Sequence, residues 1–337
     1  MIGLRHATVG GHMNSTTKDY IDELDALLDD TSGGSEPLVS DAVPGFHMLV
    51  ALTDDDRAAA TTEVARALKE HKHAAPYVVY VIEVSASVPE ATLVTVDLED
   101  ELRNAEQRAV TEARMKTVLH LDVGDEATWP FRIEVGNVAA VVAEQARTQG
   151  AELIVMGLNR HAAVSRAIGR DTVRQVMGVA GVPVLAVRDS LLGLPKRVVA
   201  AVDFSRASIR AAGLARRLIA DGGEMHLLFV DPGIVDSGSE SSDGARLIQS
   251  KGVDAALSEL RDVLESDGKV TIHTTVLHNG NPAAEIIRFC ENLSPDLVTV
   301  GSQRHRFLDR MLLGSTARAI AATGKWSVLV TPPLRAP

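Results

Sequence analysis

The chain has one cysteine, Cys290, among 337 residues, so it cannot form an internal disulfide or a structural zinc site built on cysteine pairs. Aromatic residues make up 3% of the sequence while 45% is hydrophobic, which leaves Val, Leu, Ile and Ala to fill the interior. No apolar run approaches the roughly 18 residues that a membrane-spanning helix needs, and the N-terminus lacks the apolar segment of a secretory signal. Basic charge is also short, with 34 Lys and Arg against 45 Asp and Glu and a net charge of −11. Nucleic acid is therefore not expected as a partner, because a phosphate-binding footprint needs a basic face. A length of 337 residues corresponds to two domains of roughly 150 residues each. The expectation is a cytoplasmic protein with aliphatic cores and no membrane insertion.

What the chain does contain is one unit written twice. Glu152-Leu-Ile-Val-Met-Gly157 returns as Asp296-Leu-Val-Thr-Val-Gly301, an offset of 301 − 157 = 144 residues. The same offset relates Arg160 to Arg304, His161 to His305, Arg166 to Arg310, Gly136 to Gly280, and Val184-Leu185 to Val328-Leu329. A period this long is a whole domain rather than a solenoid repeat, so each copy is expected to own a core. The boundaries fall at residues 1–44 for an acidic tail, 45–190 for the first domain and 196–333 for the second, joined through Leu191–Pro195.

Hydrophobic patterning gives the order of elements. In the tail, Tyr20, Ile21, Leu24, Leu27 and Leu28 follow helical spacing between acidic residues, as in a short amphipathic helix that docks on its own chain, on a second copy or on a basic partner. Phe46–Leu52 reads as a strand buried on both faces. It is followed by a helix through Ala58–Lys69 with Asp54 to Asp56 before it, and by a strand at Pro76–Ile82. A helix over Leu98–Val118, a strand at Phe131–Val135, a helix at Ala139–Thr148, a strand at Leu153–Met156, a helix at Thr172–Met177 and a strand at Val182–Val187 complete the copy. The second copy repeats the order, with strands at Val198–Val202, Met225–Val230, Val270–Leu277, Leu297–Val300 and Val328–Thr331. Its helices are Ile209–Ala220, Ala245–Leu264, Ala283–Cys290 and Thr316–Ala322. Such alternation predicts α/β domains with parallel sheets and helices on both faces. Gly233–Gly244, rich in Ser, Gly and Asp, reads as a loop on the edge where such sheets bind ligands.

Three pieces of the second copy converge on that edge. They are Ala201-Val-Asp-Phe-Ser205, Gly280-Asn-Pro282, and a loop from Gly301 through Arg304 to Gly314-Ser315-Thr316. Glycines allow close backbone approach, Ser315 and Thr316 are candidates to cap the next helix, and its N-terminal amides favour an anion. An aspartate at a strand end, Asp203, can accept hydrogen bonds from a ribose or a base amino group. These are the parts of a mononucleotide site.

The Val-Asp-x-Ser at the first strand end, the Gly-x-Pro after the third strand, and the loop Gly301-x2-Arg304-x9-Gly314-Ser315 resemble the universal stress protein family over roughly Phe46–Val187 and Lys196–Thr331. The resemblance implies two doubly wound five-stranded parallel domains of the adenine nucleotide alpha hydrolase-like type, paired as a pseudo-dimer. It also implies a stress-response role, no dedicated enzymatic activity and, where the loop is intact, ATP binding with accompanying Mg2+. In that picture Asp203 holds base or ribose, the backbone around Val230 lines the adenine side, and Gly301, Gly314, Ser315 and Thr316 cradle the phosphates.

Departures from the pattern limit the site to the second copy. Gly314-Ser315 correspond to Arg170-Asp171, which places a carboxylate where phosphate would lie, and Thr53 stands opposite Asp203. Gly169 is one residue out of register and reads as a loop glycine. Arg304 replaces a loop glycine, so it either reaches the phosphates with its guanidinium, blocks their approach with its stem, or points to solvent. His161 and His305 lack a ligand spacing, and no metal site is assigned. Ser32-Gly-Gly-Ser35 imitates a phosphate loop but follows no strand. No Gly-x-Ser-x-Gly elbow exists, so no catalytic residue is assigned. Two functions stand: a non-catalytic stress sensor binding an adenine nucleotide in the second domain, and a nucleotide-free interaction platform acting through its scaffold and tail helix; a third, an adenine-nucleotide hydrolase, would need metal-dependent turnover abolished by Ser315→Ala or Asp203→Ala. A protein partner of unknown identity and pairing into a homodimer are expected in either case.

Overall fold

The computed structural model describes residues 45–52, 58–83, 109–110, 113, 129–158, 168–231, 252–265, 267–278, 280–302 and 313–333. All of them belong to one compact unit, Val43–Pro337. The tail helix at Tyr20–Leu28, the Gly233–Gly244 loop, Asp54 to Asp56 and the Arg160 and Arg304 loops lie outside the described residues. Of the expected helix over Leu98–Val118, residues 109, 110 and 113 are described, and all three are helical.

The first half runs β1 (His47–Leu52), α1 (Ala58–Lys72), β2 (Ala75–Glu83), β3 (Phe131–Gly136), α2 (Val138–Thr148), β4 (Leu153–Gly157), α3 (Ile168–Val179) and β5 (Val184–Val187). The second half runs β6 (Arg197–Ala201), α4 (Arg206–Leu218), β7 (Glu224–Asp231), α5 (Val253–Leu264), β8 (Thr271–His278), α6 (Pro282–Leu293), β9 (Leu297–Gly301), α7 (Ser315–Thr323) and β10 (Ser327–Thr331). The ten strands form one sheet in the order β3-β2-β1-β4-β5-β10-β9-β6-β7-β8. Counted within each half, the order is 3-2-1-4-5, the doubly wound arrangement expected from the sequence.

Burial follows position in the sheet. Met48, Leu49 and Val50 of β1 are all fully buried, because an inner parallel strand is covered by helices on both faces and has no solvent side to alternate toward. The outermost strands β3 and β8 carry exposed residues along their length. The repeated Gly-Asn pair has a local function in both halves. Asn137 and Asn281 cap α2 and α6 by accepting from the amides of Ala140 (3.1 Å) and Ala284 (3.2 Å), and Pro282 enters α6 where no amide is needed. Cys290 of α6 is fully buried, and burial pushes its thiol up to about 12. It is the inert structural cysteine that its apolar context suggests.

One pairing is antiparallel. Strand β5 meets β10 with Val184 opposite Val330, Leu185 opposite Leu329 and Ala186 opposite Val328. Leu185 and Leu329 are themselves separated by the repeat offset (329 − 185 = 144), so at the centre of the seam a residue faces its own counterpart. This is the geometry of a two-fold dimer interface written into one chain. It pairs two strands that would otherwise be unpaired edges. The Arg188 amide donates to Ser327 Oγ across the seam at 3.0 Å, and Arg210 donates to the Pro332 carbonyl at 3.2 Å. The two cores expected for the two copies merge, because one cluster of buried residues runs from Leu49, Val79 and Ile154 to Val298, Val300 and Val328.

Candidate functional site

In an open doubly wound sheet the ligand crevice opens beyond the carboxyl ends of the strands, where the winding reverses. In the second half that point lies between β6 and β9, which pair directly, Ala201 opposite Val300. The loop leaving β6 is held by a compact set of hydrogen bonds. Asp203 Oδ1 accepts from the Ser205 amide at 3.0 Å and from its hydroxyl at 2.6 Å. The Asp203 amide donates to Ser208 Oγ at 3.2 Å, and Ser208 Oγ donates in turn to the Ser205 carbonyl at 3.0 Å. Ser205 also caps α4 by accepting from the Ser208 amide, which starts the helix at Arg206 and not at Ile209.

Between these polar residues sits Phe204, with φ of 57° and 2% exposure. A left-handed backbone at a bulky residue costs about 1–3 kcal/mol. Burial of the ring against Phe229, with centroids 5.6 Å apart, offsets that cost. The consequence is positional: Val202 and Phe204 are anchored inward while Asp203 between them is exposed at the mouth. Sequence reasoning named Asp203 but missed Phe204 and Ser208. An aromatic between Asp and Ser in a chain with so few aromatics was the available signal.

Gly301 ends β9 beside this loop. A Cβ at this position would lie 2.4 Å from the Ser208 amide nitrogen and 2.6 Å from the Ala207 carbonyl carbon, so the missing side chain lets β9 touch the first turn of α4. Its close approach in this structure is thus to backbone. Gly314 differs: its φ is −54°, and no described atom lies within 4 Å of where a Cβ would be. It is the N-cap residue of α7 and supplies no side-chain hydrogen bond. The expectation that Ser315 and Thr316 cap this helix is corrected here. Both lie inside its first turn, and the cap position belongs to glycine, so no side chain of a described residue caps the helix. Because α7 runs back between the parallel strands β9 and β10, that mouth lies on the same sheet edge as Asp203 and Gly301. Val230 lies in β7 at 8% exposure, one residue before the strand ends.

The first half differs at the equivalent point among the described residues. Helix α3 begins at Ile168, whereas the offset of 144 from Ser315 would start it at Asp171 (315 − 144 = 171). Gly169, expected in a loop, is therefore helical, and the backbone of Arg170 and Asp171 lies in the first turn. The physical reason is that Arg170, a good helix former, replaces the glycine that bounds the start of the helix in the second half. Thr53, the counterpart of Asp203, is outside the described residues.

Comparison with known proteins decides the family. The sequence model of the universal stress protein family matches residues 46–188 and again 195–332. The chain belongs to the universal stress protein family. It is a tandem member, since the two matches are the two halves of the sheet. A universal stress protein of Methanocaldococcus jannaschii is 32% identical over 143 residues, 41% of this chain and 82% of that relative. Among solved structures, a universal stress protein from Archaeoglobus fulgidus aligns with a TM-score of 0.60 at 20% identity, over 86% of this chain and 99% of that one. A functionally unknown protein from Pseudomonas aeruginosa aligns at 0.52 and 15% identity, over 86% and 93%. These structural likenesses support the fold. No described helix of this universal stress protein is long and apolar enough to cross a membrane.

Proposed function

We propose that this universal stress protein is a non-catalytic stress-response regulator that takes up one adenine nucleotide, ATP with Mg2+, in its second half and none in its first. The observation that carries this reading is the difference between the two helix mouths. In the second half α7 opens on a glycine with no side-chain cap, on the same sheet edge as the exposed Asp203, and backbone amides with a helix dipole behind them suit a phosphate. In the first half α3 runs past the equivalent point. The Asp203 carboxylate would bind ribose or base, the Val230 backbone would flank adenine, and the amides of Ser315 and Thr316 would meet the phosphates. Mg2+ would be held chiefly by the phosphates and water, as that ion prefers. The Ser205 hydroxyl donates to Asp203 and its oxygen caps α4, which fits a role in holding the loop.

The test is to purify the full chain without added nucleotide, identify any small molecule released on denaturation by mass spectrometry, and titrate ATP by calorimetry. The expected result is about one nucleotide per chain, lost in Gly314→Asp. That variant should fold, because aspartate is a favoured N-cap and no described atom crowds the position. Absence of both ligand and binding heat would refute the reading and favour a nucleotide-free interaction platform. Metal-dependent turnover abolished by Asp203→Ala or Ser315→Ala would replace the regulator with a hydrolase.

A further inference from the structure

The opposite edge of the same half-sheet carries a second constellation that the family match does not explain. Strands β7 and β8 are parallel and in register, with Glu224 opposite Thr271 and His226 opposite His273. Residues two apart on a strand share a face, so Glu224, His226 and His273 lie on one face near the start of both strands. Each offers one donor atom, and the three donors lie within 4.8 Å of one another. The two imidazoles stack with centroids 4.8 Å apart and an interplanar angle of 28°, and the Phe289 ring of α6 covers His226 edge-on at 6.0 Å.

Three features distinguish this group from a chance cluster on the surface. Nε2 of His226 is buried and has no hydrogen-bond partner among the described residues, a state that costs about 1–3 kcal/mol when nothing satisfies the nitrogen. The Glu224 carboxylate is already oriented: Arg197 Nε donates to Oε1, while Oε2 lies 4.0 Å from His273 Nε2. An outer partner of this kind fixes a ligating carboxylate. Glu224 and His273 also line a cleft of about 530 Å³, together with Thr271, Gly223 and Asp296, which gives an ion a route from solvent.

We propose that Glu224, His226 and His273 form a binding site for a divalent transition ion of the zinc class, with a fourth position open to the cleft. Two imidazoles and one carboxylate are a borderline donor set that suits Zn2+ and its first-row neighbours, whereas Mg2+ and Ca2+ prefer oxygen alone. With metal–donor distances of about 2.0–2.2 Å, a tetrahedral ion needs its donors roughly 3.4 Å apart. Closing to that separation takes a small inward swing of His273, whose side chain is 48% exposed on the outermost strand. The bound ion would clip β8 to β7 and satisfy His226. Sequence spacing hides the site, because the two histidines are 273 − 226 = 47 residues apart and only strand pairing brings them together.

The probe is Co2+, which absorbs visibly in a four-coordinate site, with Zn2+ as competitor. It is titrated into the full chain after treatment with a chelator. The expected result is one Co2+ per chain, displaced by Zn2+, with affinity falling at least about 10-fold in His273→Asn and in Glu224→Gln, as for loss of groups that build a metal site. Both positions are partly exposed, and matching melting curves in the absence of metal will show that the variants fold. ATP binding should be unchanged in His273→Asn, since Asp203 and Gly314 lie on the other edge of the sheet. Absence of a visible band in the wild type would overturn the proposal. So would a band of unchanged affinity in His273→Asn, because the chain has 11 histidines and the ion would then be held elsewhere.

Discussion

Gly301→Ala should destabilise the protein even when no nucleotide is present. The added methyl would sit 2.4 Å from the Ser208 nitrogen, 2.6 Å from the Ala207 carbonyl carbon and 2.8 Å from Ser208 Cα. Ordinary contact begins near 3.4 Å, so β9 and α4 must separate by about 1 Å. All three neighbours are backbone, and no side chain can turn away to make room. The helix is also tied down by Thr299 Oγ1, which donates to the Ala211 carbonyl at 3.2 Å, and by the hydrogen-bonded Asp203 loop. Overpacking a core typically costs 1–3 kcal/mol, and the backbone setting puts this substitution near the upper end, at about 3 kcal/mol. For a unit of this size that corresponds to a fall in Tm of roughly 6–12 °C. Thermal and urea melts of the nucleotide-free chain measure it, with Gly314→Ala as the control. That control should cost no more than about 1 kcal/mol, the usual loss when alanine takes an N-cap position, because its φ is already negative and no described atom crowds the added methyl. Equal melting of Gly301→Ala and wild type, or an equal loss in the Gly314→Ala control, would refute the argument that Gly301 serves packing and Gly314 does not.

Two further outcomes follow from the geometry. Cys290 should resist iodoacetamide in the folded chain and react only at the rate of unfolding, because burial raises its pKa from about 9 to about 12. With the folded pKa above the unfolded one, its contribution to stability is complete below pH 9 and falls by about 1.4 kcal/mol per pH unit up to about pH 12; alkaline melts of the wild type and Cys290→Ala should diverge in that window. Asn281→Ala should cost about 1 kcal/mol in urea denaturation through loss of the α6 cap, while Asn281→Asp or Asn281→Ser should restore most of it; no difference between Ala and Ser would show that the cap does not matter there.

The fold was legible because apolar runs and their duplication reduce the problem to one domain read twice. Inner strands such as β1 and β4 are continuous apolar segments, and the Gly-Asn pairs mark two helix starts. The seam was not legible in the same way. Nothing in Val184–Val187 or Ser327–Thr331 states that these strands pair with each other, or that they do so antiparallel, since either could have ended its own sheet. At the site, Asp203 and the glycines were readable as motif positions, but their separate jobs were not. Whether a glycine faces a ligand or a helix backbone depends on where α4 lies, which is a tertiary fact. Gly169 misled for a related reason: glycine tolerates helix at a cost of about 1 kcal/mol, and its neighbour Arg170 is a good helix former where the other copy has glycine.

The register of the seam explains how the two copies can differ at their ligand edges and remain one sheet. Leu185 faces Leu329, so each copy's last strand is the other's template, and a change in one is opposed directly by the other. Both strands are buried throughout, which leaves little room for either to change alone. The helix mouths carry no such mutual constraint. Starting α3 at Ile168 in place of the position matching Ser315 alters one end of one helix and leaves β4 and β5 paired residue for residue, Ile154 with Val184 through Gly157 with Val187. The scaffold thus couples the halves where they must match and separates them where a ligand would bind. In a tandem chain one mouth can therefore close while its counterpart stays open. A symmetric pair of identical subunits cannot do this, because each substitution would appear at both mouths.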